Sequence, residues 1–173
     1  MGLALILVVV IICLDQLSKF WILSNLAVGD SFVVVDNFFS ISHVRNSGAA
    51  WGFLSGYAWG INFLTLVSIL ATVFIIYLLC HNKQPLLRLY LSLILAGSVG
   101  NLIDRIRFGN VVDWLSFTFG HYHFPSFNIA DSAIVIGALL LALTALLRPK
   151  FLDEISLFKS KGDQDQYTFK QDD

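Results

Sequence analysis

Charged side chains are scarce in this sequence. Asp, Glu, Lys and Arg make up 13% of its 173 residues and hydrophobic residues make up 57%, whereas about a quarter of an ordinary soluble domain is charged. This composition excludes an ordinary soluble domain, and the lack of any basic patch excludes nucleic-acid binding. A Gly-x-Ser-x-Gly motif is also absent, so nothing supports a serine nucleophile.

Cysteine and histidine are also few, with two and four residues respectively. We expect the two cysteines, Cys13 and Cys80, to lie too far apart to form a disulfide, because one is in the middle of a hydrophobic run and the other is at the end of another. His121 and His123, together with His43, show no spacing that is typical of a zinc site. We therefore expect no metal ion and no cofactor.

Four long hydrophobic runs dominate the chain. They predict transmembrane helices at about residues 3–23, 57–80, 86–103 and 129–147, each close to the ~20 residues that a helix needs to cross a bilayer. The predicted fold is an α-helical membrane protein with one domain at residues 1–150. Residues 151–173 contain six of the twelve acidic residues and are predicted to form a flexible cytoplasmic tail.

The distribution of Lys and Arg predicts the orientation. Seven lie in or near the turn between the second and third helices or in the tail, and four lie on the other side. The first group is Lys83, Arg88, Arg148, Lys150, Lys159, Lys161 and Lys170; the second is Lys19, Arg45, Arg105 and Arg107. Because positive charge favours the cytoplasmic side, both termini are predicted to be cytoplasmic.

Polar residues collect at one end of every predicted helix. They come late in the first helix, just before the second, at the end of the third and at the start of the fourth. Successive helices run in opposite directions, so all four positions fall on the same, extracytoplasmic side. These residues are Asp15 and Lys19, the stretch 46–52, Asn101, Asp104 and Arg105, and Asn128 and Asp131.

Two extracytoplasmic segments join the helices. Residues 30–44 alternate between hydrophobic and polar side chains and are interrupted by Asp36 and Asn37, which predicts a β-hairpin or small sheet. This hairpin either supports a lipid-bearing substrate or simply caps the bundle. The small residues at 46–52 either admit an extended peptide or let the chain re-enter the bundle. The second segment, residues 105–127, is predicted to be a loop.

A carboxylate within a hydrophobic run marks a candidate functional site. If the second loop folds back, Asp113 meets Asp131, and two neighbouring carboxyl groups that share one proton suit amide hydrolysis. Alternatively, Asp131 is a charge at a helix start and Asp113 is an ordinary loop acid. Asp15 and Lys19 are four residues apart and are predicted to form a bracing ion pair.

Five stretches, in this order, resemble the lipoprotein signal peptidase (signal peptidase II) family. They are Asp-Gln-Leu-Ser-Lys at 15–19, Asn-Ser-Gly-Ala-Ala-Trp-Gly at 46–52, Gly-Asn-Leu-Ile-Asp-Arg at 100–105, Val-Val-Asp-Trp at 111–114 and Phe-Pro-Ser-Phe-Asn-Ile-Ala-Asp at 124–131. The resemblance implies an aspartic endopeptidase of the bacterial inner membrane. It would remove signal peptides from diacylglyceryl-modified prolipoproteins, cleaving before the lipidated cysteine, and would be a target of the antibiotic globomycin.

The same resemblance implies that Asp113 and Asp131 are the catalytic pair. Other motif positions would bind substrate or support the pair: Asp15, Lys19, Asn46, Gly48, Ala49, Asn101, Asp104, Arg105, Asn128 and Ala130. The partners implied are prolipoproteins and membrane lipid, and we expect a monomer. The alternative function is a proton-coupled small membrane transporter, which would also place acids within membrane helices. That class is expected to show inverted repeats and charges at the midplane, whereas the acids here lie towards one side.

Overall fold

The computed structural model describes residues 2–48, 59–153 and 155. Four of its helices are long and apolar enough to cross a membrane, namely α1 (Gly2–Asn25), α2 (Gly60–His81), α3 (Pro85–Phe108) and α4 (Ile129–Leu147). A short helix, α5 (Lys150–Asp153), follows them. The predicted four-helix membrane fold is confirmed.

Helix α3 continues five residues beyond the predicted end at residue 103. It ends where Gly109 adopts a left-handed conformation with φ 67° and donates its N–H to the Arg105 carbonyl oxygen. Glycine carries no Cβ, so this conformation costs it little. At the other end of α3, Pro85 occupies the first turn and the Gln84 side chain accepts the Leu87 N–H. The extension carries Asp104 and Arg105 as helical residues.

The predicted hairpin is present as β1 (Ser31–Val35) and β2 (Phe39–Asn46), which pair antiparallel. Asn37, in the connecting turn, has a positive φ of 55°. The segment that was predicted as a second loop instead contains two strands, β3 (Val111–Phe119) and β4 (Tyr122–His123). Strand β3 pairs with β2, so the four strands form one antiparallel sheet of order β1-β2-β3-β4. This sheet lies at the end of the bundle where α1 and α3 end. The pattern of hydrophobic residues could not reveal this pairing, because β2 and β3 lie far apart in the chain.

Helix α3 is the central helix and packs against α1, α2 and α4. Its glycines permit this close packing. A Cβ on Gly97 would overlap the Ala130 carbonyl oxygen, and one on Gly100 would lie 2.7 Å from Asp15 Oδ2. The other three long helices expose many large hydrophobic side chains, as lipid-facing helices do.

The hydrophobic core lies toward the end of the bundle opposite the sheet. Phe151 and Ile155 are both buried in this core. Packed structure therefore extends past residue 150, the predicted domain boundary. The boundary itself and the tail beyond it remain predictions.

Candidate functional site

Seven polar side chains converge where α1, α3 and α4 meet strand β3. We call them the polar cluster: Asp15, Lys19, Asn101, Asp104, Asp113, Asn128 and Asp131. Every member except Asp131 is almost fully buried. Buried polar groups are costly unless they are paired, and each member of this cluster has a partner. The sequence prediction that these residues meet at one end of the bundle agrees with this placement.

Asn128 caps helix α4. Its side-chain oxygen accepts the backbone N–H of Asp131 at 2.9 Å, and the backbone N–H of Asn128 donates to Asp131 Oδ2 at 3.2 Å, which completes a capping box. The sequence favours this arrangement locally, because an Asn followed three residues later by an acid is a helix-start pattern. Asp131 therefore lies in the first turn of α4, as predicted.

The Asn128 side chain also reaches strand β3. Its Nδ2 donates to Asp113 Oδ1 at 2.7 Å, so one asparagine contacts both predicted catalytic acids. The second oxygen of Asp113 accepts Asn46 Nδ2 at 3.0 Å, and the second oxygen of Asp131 accepts Asn101 Nδ2 at 2.7 Å. All four carboxyl oxygens therefore accept a hydrogen bond from an amide.

Burial, and to a smaller extent the negative charge of Asp131, raise the pKa of the Asp113 carboxyl to about 7. Hydrogen bonds from Asn46 and Asn128, and the charge of Lys19, act in the opposite direction. The Arg105 guanidinium interacts electrostatically with Asp113. An acid with this pKa holds a proton for a substantial part of the time at neutral pH, which is the property required of a general acid.

A buried ion pair supports the two acids. Lys19 Nζ lies 2.8 Å from Asp15 Oδ2, as the sequence predicts, and 3.0 Å from Asp104 Oδ2. It also donates to Asn101 Oδ1 at 3.1 Å, and Asn101 in turn donates to Asp131. The amide orientation of Asn101 is thus set by a cation on one side and a carboxylate on the other.

Two further bonds join the ion pair to the backbone. Asp15 Oδ1 accepts the N–H of Ala130 at 2.9 Å. Asp104 Oδ2 accepts the N–H of Val112 at 3.0 Å. We call these two bonds the backbone clamps. Ala130 directly precedes Asp131 and Val112 directly precedes Asp113, so each clamp holds the chain one residue before an acid.

Two other predicted site residues, Arg105 and Gly48, lie beside the polar cluster. Arg105 Nη1 donates to Ser68 Oγ on α2 at 3.3 Å, while its buried Nε has no partner among the residues the structure describes. Gly48 is buried and donates its N–H to Asn46 Oδ1 at 2.9 Å, which orients the amide that contacts Asp113. Ala49, also predicted to belong to the site, lies outside the described residues.

Sequence reasoning assigned no role to Gln16. Its Nε2 donates to the side chains of Asp15 and Asp104 and to the Gly100 carbonyl oxygen. A helical-spacing signal was available, because Gln16 is three residues before Lys19 and therefore lies close to the same face of α1. No three His, Cys, Asp or Glu side chains converge as metal ligands within the described ranges.

Comparisons with known proteins agree with these motifs. A family model described as signal peptidase (SPase) II matches residues 7–147. A lipoprotein signal peptidase of Bacillus pumilus is 49% identical over 146 residues, which cover 84% of this chain and 93% of that protein. A second, of Syntrophus aciditrophicus, is 42% identical over 144 residues, covering 81% of this chain and 89% of that protein.

Two solved structures, both described as bacterial membrane enzymes determined by the in meso method, share the fold. The first has a TM-score of 0.77 and 34% identity, covering 93% of this chain and 94% of that one. The second has a TM-score of 0.75 and 37% identity, with coverages of 86% and 94%. Together with the matched motifs and the four apolar helices, these similarities show that the chain belongs to the signal peptidase II family of bacterial multi-pass membrane proteins.

Proposed function

We propose that this chain is an aspartic endopeptidase that removes the signal peptide from diacylglyceryl-modified prolipoproteins, with Asp113 and Asp131 as the catalytic pair. The observation that carries the proposal is the pair of hydrogen bonds from Asn128 to the two acids. Two carboxyl groups held by one residue cannot both ionise cheaply, so they share a proton. A water molecule between them would be activated at neutral pH.

The reaction follows from one ionised and one protonated carboxyl. The ionised acid takes a proton from water as the oxygen attacks the scissile carbonyl carbon, and the protonated acid gives its proton to the carbonyl oxygen. When the resulting tetrahedral diol collapses, one hydroxyl proton returns to a carboxylate. The carbon–nitrogen bond breaks, and the leaving nitrogen takes a proton from the other acid. Asn46 and Asn101 hold the outer carboxyl oxygens in place during these transfers.

The position of the site suits a lipid-bearing substrate. It lies where the helix bundle meets the sheet, and Asp131 is only partly buried. We propose that water reaches the pair at Asp131, while the acyl chains remain beside the exposed hydrophobic side chains of the helices. We propose that cleavage occurs just before the lipidated cysteine, on the extracytoplasmic side of the inner membrane. We also propose that both termini are cytoplasmic, that the enzyme acts as a monomer and that globomycin inhibits it.

The test is a gel-shift assay with purified enzyme and a diacylated precursor. Asp113→Asn and Asp131→Asn should each abolish cleavage while the protein remains inserted and folded. Asp36→Asn is the matched control, because Asp36 is exposed in the turn between β1 and β2, and it should cleave at the wild-type rate. Cleavage by either catalytic variant at the wild-type rate would refute the assignment.

A further inference from the structure

Gln16 bridges the two carboxylates of the buried ion pair. Its side-chain nitrogen lies 3.1 Å from Asp15 Oδ2 and 3.2 Å from Asp104 Oδ1, and 3.2 Å from the carbonyl oxygen of Gly100. Asp15 is on α1, whereas Asp104 and Gly100 are on α3. The amide therefore joins two helices through two charged side chains and one backbone oxygen.

On each of these two carboxylates, the oxygen that Gln16 does not contact forms one of the backbone clamps. Asp15 Oδ1 holds the Ala130 N–H and Asp104 Oδ2 holds the Val112 N–H. A rotation of either carboxylate would therefore move the chain one residue before Asp131 or Asp113. The spacing of the two acids depends on how firmly these carboxylates are held relative to each other.

Lys19 by itself does not fix the orientation of the Asp15 and Asp104 carboxylates. Its ammonium group contacts Asp15 Oδ2 and Asp104 Oδ2, so it attracts both carboxylates but contacts only one oxygen of each. An ammonium group is a compact charge on a flexible stem and imposes little direction. The amide of Gln16 donates to the Asp104 oxygen that Lys19 does not contact, and so restrains the rotation of that carboxylate.

We propose that Gln16 is a positioning residue that sets the separation of Asp113 and Asp131 through the two backbone clamps. The inference rests on the proposed function, because it assumes that these two acids are the catalytic pair. Gln16 touches neither acid, and its effect passes from its amide through Asp15 to α4 and through Asp104 to β3.

The separation of the acids determines two measurable properties. It sets how well a bound water is placed for attack, and a displacement of ~1 Å in an active site lowers turnover by about 100-fold. It also sets how strongly the charge of one acid opposes ionisation of the other, and therefore the interval between the two titration steps of the pair.

The decisive variant is Gln16→Met, which keeps an unbranched side chain and removes the donor. We expect kcat on the diacylated precursor to fall by about 10- to 100-fold with KM unchanged, and the two pKa values of the pH–rate profile to move closer together. Gln16→Ala leaves room for a bridging water, so its kcat should fall less than that of Gln16→Met. Ser18→Ala is the matched control and should match the wild type, since among the described residues the Ser18 hydroxyl donates only to the Asp15 carbonyl oxygen within α1.

A merely structural role gives a different result. In that case Gln16→Met lowers the unfolding temperature and the yield of folded protein, while kcat per folded molecule and the pH–rate profile stay at wild-type values. That outcome overturns the proposal. Asp113→Asn and Asp131→Asn are assayed in the same series. If they are inactive and Gln16→Met matches the wild type, this inference alone is wrong, whereas if they are active, the proposed function itself has failed.

Discussion

The hydrogen bond from Asn46 to Asp113 offers a direct test of the acid pair. Asn46 Nδ2 donates to Asp113 Oδ2 at 3.0 Å and opposes the rise in the pKa of that carboxyl to about 7. A hydrogen bond to a charged group contributes about 1.5 kcal/mol or somewhat more, and one pKa unit corresponds to about 1.4 kcal/mol. Asn46→Ala should therefore raise the pKa of Asp113 by about one unit.

The sign of the effect on activity follows from the order of ionisation. Asp131 is already charged when it raises the pKa of Asp113, so the value of about 7 describes loss of the proton that the pair shares. In the proposed mechanism activity requires that proton, so the alkaline limb of the kcat/KM profile should lie near pH 7 in the wild type. In Asn46→Ala this limb should move to higher pH by about one unit.

The measurement is the cleavage rate of a diacylated precursor at low substrate concentration, from about pH 4 to 10, a range that spans the titration of acids and of a perturbed carboxyl. Asn25→Ala is the control, because Asn25 is exposed and, within the part of the chain that the structure describes, its side chain donates only to the Trp21 carbonyl oxygen. Its profile should coincide with that of the wild type. An alkaline limb in Asn46→Ala that stays in place, or moves to lower pH, would show that Asp113 does not hold the essential proton.

Three other outcomes are expected from the packing and charges of the site. Gly97→Ala should reduce both the unfolding temperature and activity, because its methyl group meets the first turn of α4 and overpacking costs about 1–3 kcal/mol. Gly2→Ala should not, because a Cβ there would meet no other described part of the chain within 4 Å. Lys19→Met should destabilise the protein by about 3–5 kcal/mol, measured by thermal unfolding in detergent, because it leaves two buried carboxylates without their cation, whereas the exposed Lys83→Met should be neutral. The pKa of Asp113 in the folded protein, about 7, lies above the usual ~3.9 of an unfolded Asp. Between these two pKa values the folded protein binds one more proton than the unfolded chain, so the protein loses stability as pH rises through about 7. Asp113→Asn should flatten this part of the stability–pH curve, and an unchanged slope would contradict the buried titration.

The fold illustrates where sequence reasoning was sufficient and where it was not. Hydrophobic run lengths located the four long helices, and the alternation around Asp36 located the β1–β2 hairpin. Strand β3 was missed because its pairing with β2 joins segments that are far apart in the chain, and its side chains are buried on both faces at Val111–Asp113, which removes the alternating pattern. The end of α3 was placed too early because charged residues near a membrane boundary resemble a helix end. The structure shows instead that the helix continues to a glycine cap.

The site shows the same division. Each of its local pairs follows from helical spacing, since Asp15 and Lys19 are four residues apart and Asn128 and Asp131 are three apart. No such rule relates Asn128 to Asp113, which are 15 positions apart, or Asp15 to Ala130, which are 115 positions apart. The motifs indicated which residues belong to the site through resemblance to a family, while the dual contact of Asn128 and the bridge made by Gln16 required the folded chain.

The sequence by itself determined the four membrane-spanning segments, the single end of the bundle at which the polar residues gather, and the local ion pair and helix cap. These depend on hydrophobic length, on the alternating direction of successive helices and on contacts within one helical turn, all of which are encoded by neighbouring residues. Only the tertiary structure decided how the acids are held. Their contacts depend on the close crossing of α3 and α4 at Gly97 and on the register of β3 against β2. Both are set by packing between segments distant in the chain, for which local spacing provides no rule.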